Sequence, residues 1–155
     1  MSKLPASLIA RPIAHRGLHD WAAGVIENSP AAFAAAIAAG YGIELDLQLS
    51  RDGVAMVYHD DSLDRLTSET GPVRARDAAA LGQIALTGSQ TGDRIPTLAA
   101  VLKQVAGRVP LLIELKDQSG GLGVAGHDLE RAVAATLAGY HGDVAVMSFN
   151  PAMMG

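Results

Sequence analysis

The sequence predicts an α/β fold built around a largely parallel β-sheet. Short apolar runs with strand-like patterning alternate along the chain with longer alanine-rich stretches. These stretches begin at capping residues and end at glycines, as helices commonly do. A chain of 155 residues that is 49% hydrophobic and 18% charged is large and apolar enough to form one globular domain.

The individual elements follow from local residue patterns. The predicted strands are residues 12–15, 42–49, 54–58, 109–115 and 144–149, and the predicted helices are residues 31–39, 76–81, 98–105 and 128–138. The first helix is the best marked, because Asn28 or Ser29 can cap its free amides and Pro30 suits its first position. Gly40 supplies its end, and Arg51–Gly53 forms a tight turn between the second and third strands.

Composition and charge exclude several classes of protein. The 12 basic and 16 acidic residues give a net charge of −4 without a basic block, which argues against binding nucleic acid or an anionic membrane. Aromatic residues make up only 4%, and the absence of cysteine excludes disulfides, thiol catalysis and thiolate zinc sites. The start of the chain lacks the apolar core of a signal peptide, and no run is long enough to span a membrane. We therefore expect a cytoplasmic protein.

The second predicted strand has one apolar face and one polar face. The apolar face holds Ile43, Leu45, Leu47 and Leu49, and the polar face holds Glu44, Asp46 and Gln48. In a barrel the apolar set would face the surrounding helices and the polar set would face the interior. An edge strand with its polar side in water has the same pattern, so this strand alone leaves both interpretations open.

The fourth predicted strand adds a third acid to a polar face, because Glu114 and Lys116 alternate with apolar residues. If Glu44, Asp46 and Glu114 converge in a covered sheet, their charges repel one another unless a counter-charge is present. A divalent cation would supply it, and an all-oxygen ligand set favours Mg²⁺ or Ca²⁺ over zinc. The alternative is a network of ion pairs with lysine and arginine.

Two histidines follow predicted strands. His15 comes directly after the first strand and precedes Arg16, and His59 comes directly after the third strand and precedes Asp60. Sites of α/β proteins lie at the carboxyl ends of strands, and a pair of imidazoles can supply one base and one acid near neutral pH. An adjacent arginine suits an anionic substrate such as a phosphate.

Five motifs occur in series between Ile13 and Pro151. They are His15-Arg16-Gly17, Glu27-Asn28-Ser29, Glu44-Leu45-Asp46, His59-Asp60 and Glu114-Leu115-Lys116. In this order they resemble the glycerophosphodiester phosphodiesterase family, and Ser148–Pro151 resembles the segment that follows there. Each motif alone is weak, but the series covers nearly the whole chain and is highly specific.

The resemblance implies a TIM-type (β/α)₈ barrel that hydrolyses glycerophosphodiesters to glycerol 3-phosphate and an alcohol with the help of Mg²⁺ or Ca²⁺. It implies these roles: His15 and His59 as the acid/base pair, Glu44, Asp46 and Glu114 as metal ligands, Arg16 and Lys116 as phosphate contacts, and Glu27 as a polar support. A complete barrel typically needs ~250 residues. We therefore expect residues 1–155 to form a single, incomplete domain with about the first five strands.

Other functions are compatible with parts of the sequence. A non-catalytic fragment would keep these motifs without a complete pocket, and a half-barrel would self-associate through its open sheet edges. A related barrel with a metal could instead be a lyase or isomerase of a phosphorylated small molecule. The Gly121–Gly126 segment fits the G-x-G-x-x-G pattern of dinucleotide-binding proteins. It follows its strand too distantly for that fingerprint, so we expect an active-site loop there instead.

Overall fold

A sheet of five strands forms the centre of the fold in the computed structural model, which describes residues 4–117 and 127–154. The strands are β1 Ile13–Ala14, β2 Gly42–Leu49, β3 Ala55–Val57, β4 Leu111–Leu115 and β5 Val144–Met147. The helices are α1 Ala6–Ile9, α2 Pro30–Ala39, α3 Ala78–Leu81, α4 Leu98–Val105 and α5 Asp128–Leu137. Short 3₁₀ turns occupy Trp21–Ala23, Val73–Ala75 and Pro151–Met154. The predicted strands and helices are present in the predicted order, with differences of a few residues at their ends, and α1 is an additional helix that was not predicted.

Four of the strands are parallel and lie in the order β1-β2-β4-β5. They amount to half of the eight parallel strands of a complete barrel. The third strand does not join this parallel set, because β3 runs antiparallel along the end of β2. The turn at Arg51–Gly53 reverses the chain, with the Ser50 amide donating to the Val54 carbonyl at 2.9 Å. Gly53 takes a φ of 84°, which glycine adopts without strain.

Helix α2 begins and ends at the predicted signals. The Ser29 hydroxyl accepts a hydrogen bond from the Ala32 amide at 3.1 Å, Pro30 occupies the first helical position, and Gly40 ends the helix at a φ of 70°. Ser29 is therefore the cap. The side chain of Asn28, the other candidate for this role, donates to Asp46 Oδ2 instead.

The main hydrophobic core, here called the sheet core, lies between one face of the sheet and helices α2, α4 and α5. Ile43, Leu45 and Leu47 are completely buried in it, as are Phe33 of α2 and Leu98 of α4. The apolar side of β2 therefore faces helices, which both interpretations allow. Pairing of β2 with β1 and β4 shows that it is not an edge strand with its polar side in water. Its polar side is also covered, since Glu44, Asp46 and Gln48 are each at most 4% exposed.

A separate hydrophobic cluster, the second core, is formed chiefly by the segment between β3 and α4. Its members are Ile26, Met56, Tyr58, Leu63, Leu66, Val73, Leu81, Ile84, Leu86 and Ile95. This segment is mostly irregular: the helix predicted over residues 76–81 is a single turn, α3, preceded by a 3₁₀ turn.

Two further expectations from the sequence concern the glycine-rich segment and membrane-spanning helices. The Gly121–Gly126 segment lies outside the described residues. Across the described ranges, 4–117 and 127–154, the structure contains no helix with the length and apolar character needed to span a membrane.

Candidate active site

Three carboxylates meet on the polar face of the sheet. The register of the parallel ladder places Asp46 of β2 opposite Glu114 of β4, and Glu44 lies one step earlier on the same face of β2. One carboxylate oxygen of each residue lies within 4.8 Å of the others, and the three residues are 1–6% exposed. The expected convergence of these acids is therefore present.

Two cationic side chains lie against this carboxylate cluster. Lys116 Nζ is 2.7 Å from Glu114 Oε1 and 3.0 Å from Asp46 Oδ1, and Arg16 Nε is 3.4 Å from Asp46 Oδ2. The alternative of an ion-pair network is thus also partly realised. Lys116, expected to contact phosphate, is placed among the carboxylates in this structure. Its pKa is raised, because its bonds to Glu114 and Asp46 outweigh the effect of burial.

The cluster still carries more negative than positive charge. Burial and then the neighbouring Asp46 charge raise the pKa of Glu44 to about 7, despite a hydrogen bond from the Arg16 amide. Asp46 Oδ1 is buried, and its ion pair with Lys116 at 3.0 Å does not have the geometry of a directed hydrogen bond. Clustered, incompletely satisfied carboxylate oxygens are the donor set that hard divalent cations prefer. Glu44, Asp46 and Glu114 therefore form a group that could hold a metal ion.

The turn after β1 brings a backbone donor to the cluster. The Arg16 amide donates to Glu44 Oε2 at 2.9 Å, and Arg16 has a left-handed φ of 57°. Gly17 follows with a φ of 79°, and a Cβ atom there would lie 2.8 Å from the Ala32 Cβ of α2. Only glycine allows the turn to pack this closely. His15 projects beside the cluster, with its Nε2 3.9 Å from Glu44 Oε2 and its side chain 69% exposed.

Asn28 is a site residue that the sequence interpretation assigned to helix capping. Its Nδ2 donates to Asp46 Oδ2 at 2.9 Å, and the Asp46 amide lies 3.4 Å from Asn28 Oδ1. Its own amide donates to the Arg16 carbonyl at 2.9 Å, and its φ of 54° is left-handed. Left-handed non-glycine residues are strained, and Arg16 and Asn28 both adopt this conformation beside the carboxylates. The sequence feature that could have identified Asn28 as a site residue is its position between Glu27 and the helix cap Ser29.

His59 reaches this region by a different route from the one expected. It does not follow a parallel strand; antiparallel β3 carries the chain back along β2, where the Tyr58 amide donates to the Asp46 carbonyl at 3.0 Å. His59 is half-buried, and its Nδ1 lies 2.7 Å from Asp60 Oδ1. The Gln48 side chain donates to the His59 carbonyl at 3.0 Å, so the polar face of β2 also fixes this backbone.

Glu27 joins the two histidine-bearing segments through arginines. Its carboxylate accepts from Arg16 Nη1 at 2.9 Å and from both Nη atoms of Arg65 at 2.7 and 3.0 Å. Burial alone would raise the pKa of Glu27, but the two arginines lower it below its usual value. Glu27 is therefore linked to the carboxylate cluster through Arg16. Arg65 was not among the residues the sequence singled out, since nothing in its local pattern marks it.

Comparisons with known proteins agree on one family. The model of the glycerophosphoryl diester phosphodiesterase family matches residues 15–155. The protein YhdW of Bacillus subtilis (strain 168) is 41% identical over 118 residues, which are 72% of this chain and 47% of that protein. A glycerophosphodiester phosphodiesterase of Caldanaerobacter subterraneus is 37% identical over 113 residues, covering 70% of this chain and 45% of that one.

Solved structures show the same relationship. The glycerophosphodiester phosphodiesterase of Agrobacterium tumefaciens matches 92% of this chain with a TM-score of 0.74 and 33% identity, over 59% of its own length. A phosphodiesterase of Oleispira antarctica, solved with its product sn-glycerol-3-phosphate, matches 93% of the chain with a TM-score of 0.80, 27% identity and 59% coverage. The chain spans about half the length of the relatives it matches. By family model, sequence and fold, the chain belongs to the glycerophosphoryl diester phosphodiesterase family.

Proposed function

We propose that this chain carries the catalytic groups for hydrolysis of glycerophosphodiesters to glycerol 3-phosphate and an alcohol. The observation that carries the proposal is the meeting of Glu44, Asp46 and Glu114 from two strands, beside segments that each present a histidine. Membership of the family supports the same reaction. The product bound to the Oleispira antarctica relative is the product this reaction would release.

Glu44, Asp46 and Glu114 would hold one Mg²⁺ or Ca²⁺ ion. When bound, the ion would offset phosphate charge and polarise a phosphate oxygen. The ligand chemistry does not distinguish Mg²⁺ from Ca²⁺, because both ions bind carboxylate oxygens. The protein's own part is to place three acids on one rigid face, so that the negative charge is assembled before the ion arrives.

Arg16 and Lys116 are the proposed phosphate contacts. Arg16 Nε lies 3.4 Å from Asp46 Oδ2 but, among the described residues, makes no directed hydrogen bond, so its guanidinium stands beside the carboxylate cluster. The Arg16 side chain is held from its other end by Glu27 at 2.9 Å. A guanidinium fixed in this way can donate to a phosphate oxygen with little loss of side-chain entropy. Lys116 would contribute a second positive charge from the end of β4.

His15 and His59 are the proposed acid/base pair. One imidazole would accept the proton of the attacking hydroxyl, from water or the substrate glycerol, and the other would protonate the departing alkoxide. Their surroundings differ: His15 is mostly exposed near Glu44, and His59 is half-buried against Asp60. Such a difference suits two groups that need opposite protonation states at the same pH.

The test is hydrolysis of glycerophosphocholine by the purified chain in Mg²⁺ or Ca²⁺. We expect EDTA, His15→Ala and His59→Ala each to abolish activity, while His141→Ala, which changes an exposed histidine, retains it. Activity that survives EDTA and both site variants would contradict the proposal. If the parent chain is inactive, calorimetric Mg²⁺ titration of the parent and Asp46→Asn separates a metal-binding fragment from one without the site.

We also propose that the chain self-associates through its sheet edges, with a second copy as the partner. In the described residues β1 and β5 each pair on one side only. Every residue of β5 is half-exposed, and Phe149 just beyond it is 87% exposed. Unpaired strands and exposed aromatic surface favour association. Sedimentation should show a mass that rises with concentration; a monomer at all concentrations would contradict the proposal.

A further inference from the structure

Within the described part of the chain, Arg65 joins two carboxylates that hold the histidine-bearing segments. One is Asp60, which contacts His59, and the other is Glu27, which binds Arg16 next to His15. Arg65 lies in the irregular segment after β3, six residues beyond His59, and its side chain is 45% exposed. Its Nε and Nη2 donate to Asp60 at 2.7 and 3.0 Å. Its Nη1 and Nη2 donate to Glu27 at 3.0 and 2.7 Å. Both carboxylates are therefore held by two hydrogen bonds each, on two edges of a single guanidinium.

The Asp60 edge bears directly on His59. Asp60 Oδ1 lies 2.7 Å from His59 Nδ1. Arg65 and His59 lower the pKa of Asp60 to about 2, so at neutral pH it is ionised and can only accept. His59 Nδ1 must then be the donor, and Nε2 of the neutral ring keeps its lone pair. The carboxylate that fixes this tautomer is itself fixed by Arg65.

The Glu27 edge bears on Arg16. Glu27 accepts from Arg16 Nη1 at 2.9 Å, and Arg16 in turn lies against Asp46 through Nε at 3.4 Å. Glu27 is 4% exposed, so its charge needs compensation, which two arginines share. Arg65 thus links Asp60, which contacts His59, to Glu27, which binds Arg16. His59 is half of the proposed acid/base pair, and Arg16 is a proposed phosphate contact.

We propose that Arg65 is a positioning residue, whose guanidinium fixes Asp60 so that neutral His59 is the Nδ1–H tautomer, and fixes Glu27 against Arg16. The proposal rests on the roles given to His59 and Arg16 under the proposed function. Lysine cannot replace Arg65, because an ammonium is a point charge and cannot bind two carboxylates with two parallel bonds each. The effect on His59 is a matter of hydrogen-bond direction, which charge alone does not supply.

The test is the tautomer ratio of His59 in the whole 155-residue chain, read from the ¹⁵N shifts of its ring nitrogens at a pH where the ring is neutral. The chain has 5 histidines, and His59→Gln identifies the signal. We expect Arg65→Met and Arg65→Lys to shift the ratio toward Nε2–H by about threefold to tenfold, as loss of a directed hydrogen bond would. Asp60→Asn should produce a shift at least as large.

Arg51→Met is the matched control, because Arg51 also holds an aspartate, Asp77, by two bonds of 2.8 and 2.7 Å but lies outside the site. It should leave the His59 ratio unchanged. A folded Arg65→Met or Arg65→Lys chain with the parent's ratio would overturn the proposal. Should Arg65→Met fail to fold, Arg65→Lys decides by the same criterion.

Hydrolysis of glycerophosphocholine by the same variants distinguishes this proposal from the proposed function. A shifted His59 ratio in a chain that hydrolyses no glycerophosphodiester supports the positioning role of Arg65 and contradicts the catalytic one of the site. An unshifted ratio in a chain whose activity depends on His59 contradicts the positioning role of Arg65 and supports the catalytic role of the site. In an active chain, Arg65→Lys should change the pH profile, which a purely structural residue would leave in place.

Discussion

The sheet core and the second core build the two sides of the candidate active site in different ways. In the sheet core, regular strands under three helices place Glu44, Asp46 and Glu114 through the backbone ladder. In the second core, an irregular segment buries scattered apolar residues, and His59, Asp60 and Arg65 lie at its border. The acids are positioned by main-chain register, whereas this histidine is positioned by side-chain packing and ion pairs.

The difference predicts separate stabilities. Strand ladders under a large core open only with global unfolding, whereas segments with few regular hydrogen bonds open locally at lower cost. The carboxylate cluster should therefore persist under conditions that release His59. The following changes test that separation, from the largest expected effect to the smallest.

Phe33→Ala should destabilise the whole molecule. Phe33 is completely buried in the sheet core, and removing such a ring costs about 3–5 kcal/mol in the free energy of unfolding. Urea unfolding followed by circular dichroism measures the loss. Ile9→Ala is the control, since Ile9 of α1 is 79% exposed and its truncation should change that free energy by no more than about 0.5 kcal/mol. Equal losses in the two variants would contradict the assignment of the core.

Leu66→Ala should loosen the second core and spare the sheet. Leu66 is completely buried, and such truncations cost about 2–5 kcal/mol. Hydrogen exchange should show faster exchange at the Leu63 and Thr67 amides, while the amides of β2 and β4 keep their parent order of protection. Simultaneous loss of protection in both cores would mean that the two form one cooperative unit.

Acid should weaken the His59 side before the sheet. The folded pKa of Asp60 is about 2, below the unfolded value of 3.8, so Asp60 contributes stability above pH ~4. That contribution is lost as the pH falls through about 2. After allowance for solvent screening of a side chain 23% exposed, it amounts to about 1–2 kcal/mol.

The check on this effect is the unfolding free energy of the parent chain and Asp60→Asn at pH 6 and pH 3. The parent should lose more stability than the variant over this interval. An equal loss in both proteins would show that the ion pair of Asp60 with Arg65 contributes nothing to stability.

Ser29→Ala should give the smallest effect. Its hydroxyl caps α2 through the Ala32 amide at 3.1 Å, and loss of such a cap costs about 1 kcal/mol. Thermal unfolding should show a modest decrease in Tm, with Ser68→Ala, a change at an exposed position, as the control. A decrease no larger than that of the control would contradict the capping role.

The parts of the site that could be predicted are those that follow from the alternation of side chains along a strand or from local helix signals. The alternation places Glu44 and Asp46 on one face of β2 and Glu114 on the polar face of β4. The two faces coincide because β4 pairs with β2, and that pairing is a tertiary contact. Helix α2 was equally readable, because its cap and its glycine are local signals.

The parts that could not be predicted depend on tertiary paths. The antiparallel direction of β3 is an exception, because a turn as short as the predicted Arg51–Gly53 can join only antiparallel strands. Asn28 is a residue type that commonly caps helices and it precedes one, so its sequence position suggests a cap; only the fold shows that it binds Asp46. Arg65 lies in a segment without a period, so its two carboxylate partners, far apart in sequence, could not be inferred.

The opposition of Asp46 and Glu114 in the ladder also restricts how this protein can evolve. Deleting one residue within β4 would turn Glu114 toward the helices and bring an aliphatic side chain to the carboxylate cluster, because strand faces alternate. Deleting two would restore the face but displace the acid by about 6.6 Å, at ~3.3 Å a residue. Point substitutions are therefore the tolerated variation in these strands, and length changes belong in the loops.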